Sequence, residues 1–193
     1  NPMGSNTQIV AGVVPSQGKG GSWAQVIAVD NRADLALLKV TGSLRLAPST
    51  LFTGPTTDGQ EVWAVGYPGN VDRAQGMAAV DYLAPTPPVK SQGNISAGRP
   101  TRTFDALLHS AQIAAGNSGG PLFDGCGRII GVNSQGTVSG TESDSNFYFA
   151  ISMRELSRFL IGNGVKAQTM GQPCRSLAEF KTEEEQRRAG EQA

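Results

Sequence analysis

The sequence predicts an all-β protein, on three observations. Glycine (25) and proline (11) are plentiful among its 193 residues, and these are the residues that let a chain turn sharply. Charged residues are only 17% of the chain, below the roughly 25% of an ordinary soluble domain, so long solvated helices account for little of it. Apolar residues come in short runs bounded by turn residues, which is how strands read.

The elements follow in order. Gln8–Pro15 and Trp23–Asp30 read as two β-rich segments, and the glycine-rich Ser16–Ser22 joins them as a hairpin. Leu35–Val40 is a nearly continuous apolar run, expected of a buried strand, and Ser43–Gln60 is a turn-rich connector. Glu61–Tyr67 is a strand stopped by Pro68, Gly69 and Asn70. Residues 77–83 and 93–97 read as strands around the proline-rich Ala84–Pro88, and Phe104–Leu108 as another. Pro121–Phe123, the turn Asp124–Gly127 and Arg128–Val132 form a hairpin. Thr137–Asn146 is polar without apolar period, the pattern of a mobile surface loop, and Phe147–Ile151 is the last strand.

Two helices close the chain. Ser152 and Glu155 have the spacing of a capping box, Leu156, Phe159 and Leu160 share one face, and Gly162 or Gly164 ends the helix. Ser176 and Glu179 open a tail helix with i,i+4 pairs Glu183–Arg187 and Glu184–Arg188. Beyond Phe180 it has almost no apolar face, as in a solvated spacer or the start of a coiled-coil arm.

Composition excludes several function classes. Lys plus Arg (16) equal Asp plus Glu (16), so charge gives no general attraction to nucleic acid. No apolar run is long enough to span a bilayer. With one histidine and two cysteines, Cys126 and Cys174, outside any metal-ligand spacing, neither a metal nor a cofactor is expected. The cysteines read as a structural disulfide or as two buried thiols. A bridge would close a loop of about 50 residues, stabilise by roughly 4 kcal/mol, and place the protein in an oxidising compartment, periplasmic or secreted.

The chemistry concentrates at Gly116-Asn117-Ser118-Gly119-Gly120-Pro121. Acyl transfer needs a hydroxyl on a tight turn, with backbone N–H groups aimed where an oxyanion forms. Gly116 and Gly119 permit conformations and close approaches that a Cβ would block. The N–H groups of Gly116 and Ser118 can then point the same way.

Ala111–Phe123 resembles the nucleophile stretch of trypsin-like serine peptidases, most closely the bacterial HtrA-like branch. Phe149–Ser152 with the following helix resembles that branch's pocket wall and terminal helix, Asp34–Val40 its triad-aspartate strand, and Gly66–Gly69 the first turn of its second barrel. The resemblance runs in order over about residues 8–165. It implies two β-barrels with the site between them, the first incomplete here, and a C-terminal helix. Residues 1–60 would then be the rest of the first barrel and a connector, 61–152 the second barrel, and 153–193 the helix and charged tail.

By the same resemblance Ser118 is the nucleophile and Asp34 the residue that orients an imidazolium, with Asp30 as competitor. Gly116 and Ser118 supply the oxyanion hole. Gln112, six residues before Ser118, lies at the base of the specificity pocket, and Phe149 and Ala150 line it. Ser134, Gln135 and Gly136 match the edge that pairs with substrate backbone. No acid at position 112 calls for Lys or Arg, so a small or medium apolar side chain is expected there.

A general base is also required. The family places its histidine before the aspartate, whereas the one histidine here, His109, stands nine residues before Ser118. It reads as a polar side chain beside the pocket or a satisfied core histidine. The expectation is therefore a serine endopeptidase acting on polypeptides, completed by an upstream segment that carries the remaining first-barrel strands and the histidine. The alternative is an inactive binding module of the same fold.

Overall fold

The computed structural model describes residues 9–18, 20–136, 147–175 and 177–191. The expected mobile loop at 137–146 lies outside the described residues.

The first sheet has three antiparallel strands in sequence order: β1 (Val10–Val13), β2 (Ser22–Asp30) and β3 (Leu35–Val40). The glycine-rich loop gives the expected hairpin, pairing Val13 with Ser22. Strand alternation divides the side chains of β2. Ala24 is fully buried, while Trp23, Ile27 and Val29 are each more than half exposed.

Six strands close into a barrel. They are β5 (Glu61–Gly66), β6 (Val89–Gly98), β7 (Ala106–His109), β8 (Pro121–Asp124), β9 (Ile129–Gly136) and β10 (Tyr148–Ser152). The ring runs β5-β6-β7-β10-β9-β8 and returns to β5. Val62, Ala64, Ile95, Leu122, Ile130 and Ala150 pack inside it. Their one-in-two spacing along the strands is the pleat of a barrel with a filled interior. Two short strands, β4 (Leu51–Phe52) and β11 (Thr169–Met170), extend the barrel at β9 in parallel.

Several sequence expectations are corrected here. Residues 77–83 form no strand; they lie in turns that end in a 3-10 turn at Asp81–Leu83. The strand expected at 93–97 runs from Val89, just after Pro88, to Gly98. Proline costs nothing at that point because it stands before the first ladder hydrogen bond. Pro68 does stop β5, and it also opens a short helix, α1 (Gly69–Ala74). The fold itself is all-β with a six-stranded barrel, as expected.

The terminal helix α2 (Met153–Gly162) starts at Ser152, whose Oγ accepts the Glu155 N–H at 3.5 Å. Only this half of the capping box forms. The Glu155 carboxylate instead accepts from the Asp105 N–H at 3.1 Å and from Arg32. Leu156 and Phe159 press onto Ala33, Leu35, Phe104 and Ile151, forming a second core that joins the three-stranded sheet to the barrel.

Cys126 and Cys174 form the disulfide, with Cα atoms 5.8 Å apart. It ties the β8–β9 turn to the segment after β11. Arg128 fastens the same segment: its guanidinium donates to Gln172 O at 2.5 Å and to Asp124 Oδ2 at 2.8 Å, and lies 4.3 Å from the centre of the Phe52 ring. The tail helix α3 (Leu177–Glu191) follows, with Glu184 paired to Arg188 at 2.8 Å. The Glu183 side chain lies outside the described residues, so the pair expected with Arg187 does too. None of the described helices is long and apolar enough to cross a membrane.

Candidate active site

The 114–120 loop is built from its glycines. Asn117 N–H donates to Ala114 O at 3.0 Å and Gly120 N–H to Asn117 O at 3.0 Å, giving two consecutive turns. Gly116 sits at φ 106° and Gly119 at φ 83°, in the region that favours glycine. A Cβ on Gly116 would strike the Tyr67 carbonyl. Ser118 is thereby held on an exposed turn between β7 and β8. Among the described residues, the N–H groups of Gly116 and Ser118 have no hydrogen-bond partner. Two unspent donors flanking one hydroxyl suit a developing oxyanion.

The Ser118 hydroxyl itself is occupied. It donates to the Ser134 carbonyl at 2.5 Å. Ser134 is buried near the end of β9, and Gln135 and Gly136 continue the strand as exposed residues. Gly119 N–H to Asn133 O and Asn133 N–H to Gly120 O, both 2.8 Å, fix the loop against this strand. Gln112 is exposed after β7. Phe149 is half-buried against the second core, and Ala150 is fully buried in the barrel interior.

Asp34 stands at the β2–β3 turn. Asp30 and Asp34 play different parts there. Asp30 Oδ1 accepts the N–H groups of Arg32 at 2.9 Å and Ala33 at 3.1 Å, so Asp30 caps the turn. Asp34 is exposed and has φ 54°, alone among the described non-glycine residues in being left-handed. A backbone held in a sparsely populated region needs support from its surroundings. Arg32, two residues earlier, anchors this turn through Thr103 O at 2.7 Å and the Glu155 carboxylate at 2.6 and 3.2 Å. Glu155 is buried, and Arg32 holds its carboxyl at about pKa 2, helped by the Asp105 N–H and opposed by burial.

Asp34 and Ser118 line one cavity of about 460 Å³, walled by β3, Gly119, Val132 and α2 residues Leu156, Phe159 and Leu160. Ser118 also borders a larger groove of about 910 Å³. Val13–Ser16, Leu46, Trp63, Val65, Tyr67 and Phe123 are among the residues that line it. The structure thus brings Asp34 and Ser118 to a common cavity, although 84 positions separate them in the sequence.

His109 lies elsewhere. It is fully buried in β7, opposite Ile95 of β6 and Tyr148 of β10, with its ring 6.0 Å from the Tyr148 ring. Among the described residues neither ring nitrogen has a hydrogen-bond partner, so it is a core histidine but not a satisfied one. Burial lowers its pKa to about 4, and the Ala111 backbone opposes this without reaching hydrogen-bond geometry. The pairing of Arg32 with Glu155 has no signal in the sequence, where 123 positions separate them and Glu155 reads only as a capping-box residue.

The trypsin-like peptidase domain matches residues 5–132. The chain is 33% identical over 121 residues to serine protease PepD of Mycobacterium tuberculosis, covering 61% of this chain and 25% of PepD. It is 32% identical over 137 residues to protease Do-like 5 of Arabidopsis thaliana chloroplasts (69% and 40%). It is also 32% identical over 116 residues to the magnetosome formation protease MamE of Magnetospirillum gryphiswaldense (56% and 13%). The chain therefore spans between 13% and 40% of the length of these relatives. Among solved structures, the Rv3671c protease in an inactive form superposes with a TM-score of 0.59 over 77% of this chain and 70% of its own, at 22% identity. That likeness concerns the fold alone. The match over residues 5–132, together with the barrel and the Ser118 loop, makes this chain a member of the trypsin-like peptidase family, HtrA-like in its relatives.

Proposed function

We propose that the protein is a serine endopeptidase that cleaves polypeptides through an acyl-enzyme on Ser118. The observation that carries this is the shared cavity of Asp34 and Ser118, with the N–H groups of Gly116 and Ser118, unpartnered among the described residues, at the groove that Ser118 also borders. Ser118 Oγ attacks the peptide carbonyl as its proton passes to a histidine base. The two N–H groups hold the oxyanion, and the amine leaves with that proton. Water then hydrolyses the ester by the reverse proton route. Asp34 fixes the imidazole tautomer and stabilises its charged form. Gln112, Phe149 and Ala150 shape the pocket for the side chain preceding the cut, and Ser134–Gly136 pairs with the substrate backbone.

The base belongs to an upstream segment in this reading. That segment also supplies the strands that complete the first barrel. Its support is the face of β2 that carries Trp23, Ile27 and Val29 exposed, since a barrel sheet covers one face with its own further strands. The domain division is 1–60, 61–152 and 153–193. The disulfide favours a periplasmic or secreted location.

A second reading, an inactive binding module, is favoured by one observation. His109, the one histidine of the sequence, is buried in the barrel and borders neither cavity that Ser118 lines. A fluorophosphonate probe separates the two readings. It is applied to this chain and to a version extended at its N-terminus. Labelling of Ser118 in the extended version alone is the expected result, and no labelling in either version would sink the peptidase reading.

A further inference from the structure

Asp72 is a largely buried acid with no counter-charge among the described residues. Asp72 lies in α1 and is 8% exposed. Among the described residues its side chain makes neither a hydrogen bond nor an ion pair. Its neighbour Asp81 differs, for Asp81 Oδ2 accepts the Ala78 N–H at 2.7 Å. Acidic residues this little exposed are ordinarily paired.

Asp72 borders a cavity of about 280 Å³ between the end of β1 and the 67–86 segment. Tyr67 and Tyr82 stand in its wall, with Val14, Met77 and Ala84 as apolar lining. The Tyr67 hydroxyl donates to Thr86 O at 2.9 Å, which holds that ring in place. An apolar shaft, two aromatic rings and one carboxylate suit an alkyl stem with a cationic head. Methylenes cover the apolar wall, the ring faces attract the cation, and the carboxylate pairs with it. Calcium and magnesium take about six or more oxygens, which one carboxylate among apolar and aromatic walls suits poorly, so the chemistry favours an organic cation.

Position supplies the source. Val14, Pro15 and Tyr67 line both this cavity and the groove that Ser118 borders. A polypeptide crossing Ser118 can therefore place a side chain against Asp72. We propose that this cavity receives one lysine or arginine side chain of the substrate, with Asp72 as its counter-ion and Tyr67 and Tyr82 as its walls. The site is distinct from the pocket at Gln112, where the sequence offers no acid. Its polypeptide source rests on the peptidase reading; its preference for a cation does not.

Two arms test this. In the first, n-butylguanidinium is titrated into the isotope-labelled chain, with n-butanol as neutral control. Shifts at Tyr67, Asp72 and Tyr82, saturation for the cation only, and at least tenfold weaker binding in D72N are expected. Equal binding by D72N, or shifts elsewhere, overturns the cation site. D72N is nearly isosteric, and Y82L provides a second variant should D72N fail to fold; it should also bind more weakly. In the second arm, the N-terminally extended protein is given peptides that differ by lysine or norleucine at one position at a time. One position should favour lysine at least tenfold in kcat/KM, and D72N should bring that ratio near one. Equal rates throughout the set overturn the substrate assignment while the peptidase reading stands. Absence of fluorophosphonate labelling overturns the peptidase reading and the polypeptide source with it, and the first arm alone then decides the cation site.

Discussion

Arg32 and Glu155 meet as a bidentate ion pair, Nη2 to Oε2 at 2.6 Å and Nη1 to Oε1 at 3.2 Å. The pair joins the β2–β3 turn, and with it Asp34, to the helix that caps the barrel. The Glu155 carboxyl is held at about pKa 2, chiefly by this hydrogen bond. A carboxylate whose folded pKa is depressed adds stability above its unfolded pKa and loses it as pH falls toward the folded one. E155Q should therefore lower Tm by several degrees at pH 7. Its deficit against the parent should shrink between about pH 4.5 and pH 2. Thermal melts at pH 7, 4 and 2.5 measure this, and a deficit equal at all three would refute the account.

His109 gives a separate pH window. Its folded pKa, about 4, lies below the unfolded value because burial disfavours the imidazolium. The unfolded chain then binds the extra proton first, so stability falls as pH drops from about 6.5 to 4. The loss is on the order of 2–3 kcal/mol. H109L should remove it without harming stability at pH 7, since both ring nitrogens already lack partners among the described residues. Urea unfolding at pH 7 and 4.5 compares the two proteins.

Gly116 should tolerate no side chain. It combines φ 106° with a Cβ position that meets the Tyr67 carbonyl. G116A should turn one oxyanion donor away and slow acylation by roughly 10²–10³-fold. The barrel should remain folded, because Gly116 lies outside both cores. Fluorophosphonate labelling rates of the N-terminally extended protein, read beside Tm, separate loss of the site from loss of the fold.

The parts of this molecule that were legible in sequence are those whose signals are local. β3, β5 and the β8–β9 hairpin carry short apolar runs with turn residues at their ends. The Ser118 loop announces itself through glycines at fixed spacing. Residues 69–74 were hidden because Gly-Asn after Pro68 reads as a stop, yet the same residues open α1. The start of β6 is not legible in sequence because Val89–Gln92 stand directly after prolines and gain their pairing from β5. Asp72 and the Arg32–Glu155 clamp gave no local signal at all. A carboxylate's burial and its partner are set by chain segments far away in sequence.

The disulfide should matter most for the segment after α2. Cys126–Cys174 and the Arg128 contact with Gln172 together fasten β11 to the barrel. Replacing both cysteines with serine should cost about 2–5 kcal/mol. Amide exchange should rise first around residues 169–175, ahead of the barrel strands. Uniform exchange changes would show that the bridge acts on the whole fold instead.

The Ser118 hydroxyl and an incoming substrate compete for one acceptor. Ser118 Oγ donates to Ser134 O at 2.5 Å. In the proposed function that carbonyl belongs to the strand edge that takes the substrate's backbone N–H. Substrate pairing then displaces the hydroxyl and frees it to meet the base. S118A removes the competitor and leaves the carbonyl open. It should bind an uncleaved peptide severalfold more tightly than the parent chain, and N-methylation of the peptide residue that donates to Ser134 O should abolish the gain. Calorimetric titration of both peptides into both proteins measures this. Equal affinity of S118A and parent for the unmethylated peptide would mean that the substrate does not use the Ser134 carbonyl.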